Sequence, residues 1–152
     1  MNFFTNPLSQ FRNKRVWGYY QAQGVNASEC GPTIASMLIN TFHKTNTSRK
    51  GVRKAYPGPW HYNLKVVKTI LGNNDVPCGE IILNKSGKIK PEDIHNLVVS
   101  QRFTAFHVDG FHFVIVGYIA GSLRVVDPMN GISEFDAGNF TKRITHPLAI
   151  YI

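Results

Sequence analysis

The chain has 152 residues, 43% hydrophobic and 17% charged, which suits one compact domain with a real core and argues against wholesale disorder. No apolar run approaches the about 18 residues that a transmembrane helix needs. The start, Met1-Asn2-Phe3-Phe4-Thr5-Asn6-Pro7, has no basic stretch leading into an apolar one, so no secretory signal is read and a cytoplasmic location is the default. Release as a toxin or virion component stays open.

The net charge of +8 is lopsided: ten Lys or Arg face only Glu29 up to residue 74, whereas seven face eight acids beyond it. Such a field favours an acidic partner for the N-terminal half, with a solvated basic surface as the plainer alternative. No zinc finger, aromatic platform or other nucleic-acid motif accompanies it. The two cysteines, Cys30 and Cys78, do not make a disulfide framework.

Residues 1–16 read as an N-terminal arm and 17–152 as a single domain. Val16 to Tyr20 suits a short strand or an extended lead-in. Ile34, Met37, Leu38 and Phe42 recur at helical spacing, so a helix is expected over about 30–43, with Pro32 in its first turn where a missing N–H costs nothing. The basic stretch 44–59 reads as a loop with a short helix. A second helix is expected over Trp60–Leu71, with Leu64, Val67 and Leu71 on one face and Gly72 ending it. Glu80–Leu83 reads as a strand, and a third helix starts after Lys90 with Pro91 in its first turn. Strands then dominate, at about 103–107, 111–118, 122–127, 132–135 and 147–152. Helices followed by an antiparallel sheet make an α+β fold.

Three residues carry the chemistry. Cys30 stands at a helix start, where N–H groups without intrahelical partners favour thiolate over thiol. His112 opens a strong β run, His112-Phe113-Val114-Ile115-Val116-Gly117-Tyr118, and Asp127 closes the next, Leu123-Arg124-Val125-Val126-Asp127. A two-residue loop joining these runs puts His112 either directly opposite Asp127 or diagonal to it on the same face. Nucleophile, imidazole and carboxylate in that order suit a papain-like cysteine hydrolase. Taken singly, each residue has a plainer role: a buried cysteine, a core-edge histidine, an aspartate opening an Asp-Pro turn. A second oxyanion donor is expected upstream, and Gln23 is preferred over Gln21. Cys78, entering an apolar strand, reads as an inert thiol. The other histidines are not paired at metal-ligand spacing, so neither metal nor cofactor is expected.

These segments resemble the bacteriocin-processing peptidases, papain-like domains that cut double-glycine leaders in peptide exporters, and their stand-alone relatives. The resemblance rests on Gln23, on Glu29-Cys30-Gly31-Pro32-Thr33, on Met37, and on His112–Tyr118 leading to Val126-Asp127-Pro128 and Gly131; it extends over about residues 17–152. It implies a papain-like fold and a peptide substrate. By it Cys30 is the nucleophile, His112 the general base and acid, Asp127 the orienting carboxylate and Gln23 the oxyanion donor. The family's glutamine stands six residues before the cysteine, where this chain has Gly24. No transporter segments follow within these residues, so the export role is not carried over.

A cysteine peptidase working through a thioester acyl-enzyme is therefore the leading reading. A glutamine deamidase or transamidase on the same fold is the second. A catalytically silent papain-like module that binds an acidic partner is the third.

Overall fold

The structure is a computed structural model and describes residues 30–45, 47–57, 64–110, 112–119, 121–128 and 130–152. The expected arm, the lead-in strand and Gln23 lie outside these residues. Among the described residues three helices come first: α1 (Cys30–His43), α2 (Arg49–Ala55) and α3 (Leu64–Asn73). Strand β1 (Gly79–Ile82) and helix α4 (Pro91–Ser100) follow. The remaining elements are β2 (Phe103–Val108), β3 (His112–Ile119), β4 (Ser122–Asp127), β5 (Gly131–Glu134), α5 (Ala137–Arg143) and β6 (Ile144–Tyr151). The strands form one antiparallel sheet in the order β1-β6-β2-β3-β4-β5, so the arrangement is α+β.

Both faces of the sheet are covered, which is why every residue of β2 and all of β3 except Tyr118 are buried rather than alternating in and out. Odd-numbered residues of β2 and β3 (Phe103, Ala105, Phe113, Ile115) join Cys30, Ile34 and Leu38 of α1 and Leu64, Val67 and Leu71 of α3 in one core. Even-numbered residues (Phe106, Val108, Val114, Val116) join Ile94 and Val98 of α4 and Phe140 of α5 in another. Each fully buried large apolar side chain contributes about 1.5–3 kcal/mol relative to exposure.

Helix α5 has no counterpart in the sequence reading, and two boundaries differ from it by more than one residue. Gly72 lies inside α3 instead of ending it. The left-handed position belongs to Asp75, at φ 58°, with Val76 N–H donating to Leu71 O and Asp75 N–H to Gly72 O. That is a Schellman closure, in which aspartate tolerates the positive φ. Strand β6 begins at Ile144, three residues before the expected start. Pro147 interrupts its pattern, and the β2–β6 register shifts between Phe106 and Val108 to absorb the extra residues.

The β3–β4 hairpin takes the diagonal register: Ile119 pairs with Ser122 and Ile115 with Val126. Gly121, between the two strands, sits at φ +84°. The alternative loop would have left this glycine in the strand and put β-branched Ile119 in the turn.

Candidate active site

His112 is the first residue of β3 and Asp127 the last of β4, so both lie at the same end of an antiparallel pair. His112 Nε2 is 2.5 Å from Asp127 Oδ1. A carboxylate accepts only, so the ring nitrogen donates. Both side chains are largely buried, Asp127 almost wholly so. An ionised carboxylate there needs partners. Oδ1 also accepts from Asn130 N–H at 3.2 Å, and Oδ2 accepts from Asn130 Nδ2 at 3.1 Å and from Arg143 Nη2 at 3.4 Å.

Cys30 is the first residue of α1 and is fully buried. The chain links fix the direction of this helix. His43, its last residue, has Nε2 2.7 Å from Asn74 O, and five residues later the chain enters β1 at Gly79. Gly79 pairs with Tyr151, Tyr151 with Thr104, and Thr104 with Val116, toward the end of β3 remote from His112. Because α1 packs against β3, its C-terminal end lies toward Ile119 and Cys30 toward the His112 end. Lengths match: 14 helical residues span about 21 Å, and 8 strand residues about 26 Å.

Thus the structure joins His112 to Asp127 and starts α1 toward their end of the sheet, while Gln23 lies outside the described residues. Sequence reasoning did not single out Asn130, Arg143 or Asp109. Asn130 was discoverable, since an asparagine three residues after an aspartate in Asp127-Pro128-Met129-Asn130-Gly131 is a turn that folds back on its first carboxylate. Arg143 carried no such signal, because it is brought to Asp127 only by tertiary packing of α5. Its guanidinium is held even more firmly protonated than usual, first by the hydrogen bond to Asp109.

A second histidine borders this region. His107, opposite Phe113 in register, packs edge-on against that ring and stacks on His146 with centroids 5.4 Å apart. Its Nε2 is 2.6 Å from Gly110 O, and its buried Nδ1 has no hydrogen-bond partner. Burial pushes its pKa down, opposed by the Gly110 bond and aided by His146. Cys78 is half-buried, and burial pushes its thiol up, as suits an unreactive sulfur. Among the described residues no cluster of three His, Cys, Asp or Glu side chains is arranged to hold a metal, and no helix is long and apolar enough to cross a membrane.

The fold places three helices ahead of most of an antiparallel sheet, with a histidine–carboxylate pair at one end of its β3–β4 hairpin. Among solved structures the chain is similar to a double-glycine motif protease from an AMS/PCAT transporter, crystallised with a leader peptide. The TM-score is 0.59 at 17% identity, over 80% of this chain and 81% of that one. The fold is accordingly papain-like, as the sequence led us to expect. No protein-family model matches the chain, and no curated protein matches it.

Proposed function

We propose that this chain is a cysteine peptidase whose domain spans 17–152 and whose nucleophile is Cys30. The observation that carries the reading is the buried His112 Nε2–Asp127 Oδ1 hydrogen bond at the sheet end toward which α1 begins. With Nε2 donating to Asp127, the ring presents Nδ1 as the nitrogen that exchanges a proton with sulfur. Cys30 Sγ, as thiolate, adds to the carbonyl carbon of a peptide bond. The oxyanion is held by the Cys30 N–H and the Gln23 side-chain amide. As the C–N bond breaks, imidazolium His112 protonates the leaving amine, giving a thioester. His112 then takes a proton from water, the hydroxide adds to the thioester, and loss of the thiolate releases the carboxyl product. A peptide is the expected substrate; the similar protease was crystallised with one. Arg49, Lys50, Arg53 and Lys54 of α2, the most basic described helix, are the surface for an acidic partner.

One observation favours a second reading. Cys30 is completely buried, as suits a silent module whose sulfur no substrate meets. Iodoacetamide labelling across pH separates the two, using wild type, Cys30→Ala and His112→Ala. A peptidase labels fast at neutral pH through Cys30, and His112→Ala moves that reactivity toward the about 8.5 of an ordinary thiol. Slow, equal labelling of Cys30 and Cys78 sinks the peptidase and leaves the module. Intact-mass analysis of candidate peptides distinguishes chain cleavage from the one-dalton change of a deamidase.

A further inference from the structure

We infer that Arg143 is a positioning residue for the proposed active site, acting through Asp127 and through the β2–β3 turn at once, with Asp109 as its anchor. The inference rests on the peptidase reading for its catalytic meaning, but its geometry stands independently.

Arg143 is the last residue of α5, and its side chain spans two carboxylates. Nε lies 3.1 Å from Asp109 Oδ1, and Nη2 lies 2.6 Å from Asp109 Oδ2 and 3.4 Å from Asp127 Oδ2. The oxygen it touches on Asp127 is not the one that meets His112. Donors and acceptors therefore alternate from the His112 ring through Asp127 and Arg143 to Asp109. Among the described residues His112 and Arg143 are the titratable side chains in ion-pair range of Asp127, and Asp109 pairs with Arg143.

The backbone is clamped as well. Asp109 N–H donates to Arg143 O at 2.9 Å, and Gly110 N–H donates to Thr145 Oγ1 at 3.0 Å. Asp109 takes φ 52° and Gly110 φ +88°, so the turn that delivers the chain to His112 contains a conformation that an aspartate adopts at some cost. One guanidinium thus holds both the carboxylate that orients the ring and the turn that carries it. The fork geometry is what makes this possible, since a lysine offers a point charge and cannot span two carboxylates in fixed directions. Without Arg143, a nearly buried Asp127 loses a cation, and its ionised form is less favoured.

The test uses the full chain with Arg143→Gln, Arg143→Lys and Asp109→Asn, each checked for cooperative thermal unfolding. One readout is the deshielded ring N–H proton of His112 in the proton NMR spectrum, assigned by its loss in His112→Ala. The other is the pH profile of Cys30 alkylation. Arg143→Gln is expected to shift or broaden that resonance and to move the acid limb of alkylation to higher pH. It should slow the neutral-pH rate by about 10- to 100-fold, the scale of a small misplacement of a reacting group. Arg143→Lys should restore part of the loss, and Asp109→Asn should fall between. Should Arg143→Gln not fold, Asp109→Asn at its more exposed site carries the same readouts. A folded variant with the wild-type resonance and acid limb overturns the inference. If wild-type Cys30 instead reacts slowly and His112→Ala changes nothing, the peptidase reading fails, while the resonance still reports whether Arg143 sets the pair.

Discussion

His112 and Asp127 meet across the β3–β4 pair although neither is the other's partner in register. Ile115 stands opposite Val126, so extending the ladder puts Asp127 opposite Val114. The diagonal contact needs a long side chain to reach along the strand, and the imidazole provides it. Asp127 is held in turn by Asn130 and Arg143, so its orientation does not depend on the histidine alone.

The hydrogen bond and the charge of Asp127 make separable contributions. Asp127→Asn keeps a carbonyl that accepts from His112 Nε2 but removes the charge that stabilises an imidazolium. Asp127→Ala removes both, and leaves Arg143 facing a small void. Under the peptidase reading Asp127→Ala should lose on the order of 100-fold or more in peptide cleavage per titrated Cys30. Asp127→Asn should lose less. Wild-type turnover in the alanine variant would leave Asp127 with no role beyond its turn.

His107 links stability to pH. Its folded pKa lies below that of an unfolded histidine, chiefly through burial. As pH falls from about 6.5, the unfolded chain takes up a proton that the folded chain resists, so folding weakens. This contribution is complete above the unfolded value and is lost as pH falls through the folded one. His107→Phe keeps the edge-on packing against Phe113 and removes the titration. Urea unfolding between pH 7.5 and pH 5 should therefore show the variant losing less stability than wild type. Parallel losses in the two proteins would exclude His107 as a source.

Close backbone approach at Gly117 predicts a large penalty for a small change. A Cβ built there would lie 2.2 Å from Phe103 Cδ1 and 2.6 Å from the Arg102 carbonyl oxygen. Phe103 is itself buried and cannot swing away without opening the α1–α3 core. Gly117→Ala should cost at least about 1–3 kcal/mol, the usual scale of overpacking, in denaturant unfolding. A stability change within about 0.5 kcal/mol of wild type, as for an ordinary surface site, would mean that the ring has room to move.

Much of this architecture was legible because local and global signals agreed. Ile34, Met37 and Leu38 recur at helical spacing and are buried on α1; Pro91 starts α4; the mainly apolar runs at 103–108 and 112–119 are buried on both faces because helices cover both. Periodicity alone left the hairpin register undecided between two loops, and the choice fell to the backbone freedom of Gly121. Pro147 hid the start of β6, since a strand that tolerates proline does so by a local irregularity that no alternation reveals. Arg143 was illegible for a different reason. Its two carboxylate partners lie 34 and 16 residues away, and only the packing of α5 brings them together.

The end of α3 offers a test of how that helix closes. A glycine after an apolar helical run invites the reading that it occupies the left-handed cap, in which case Gly72→Ala would be destabilising. Gly72 is instead helical and exposed, and an added Cβ there meets nothing within 4 Å. Gly72→Ala should therefore stabilise the protein by up to about 1 kcal/mol, the helix-propensity difference. The strain sits three residues on, where Asp75 combines a positive φ with a negative charge beside the helix C-terminus. Asp75→Gly relieves both and should add about 0.5–1 kcal/mol, offset in part by the greater freedom of glycine in the unfolded chain. Asp75→Asn, which removes the charge and keeps the side chain, should gain less. Thermal unfolding of the three variants decides it: a lowered midpoint in Gly72→Ala would return the cap to Gly72.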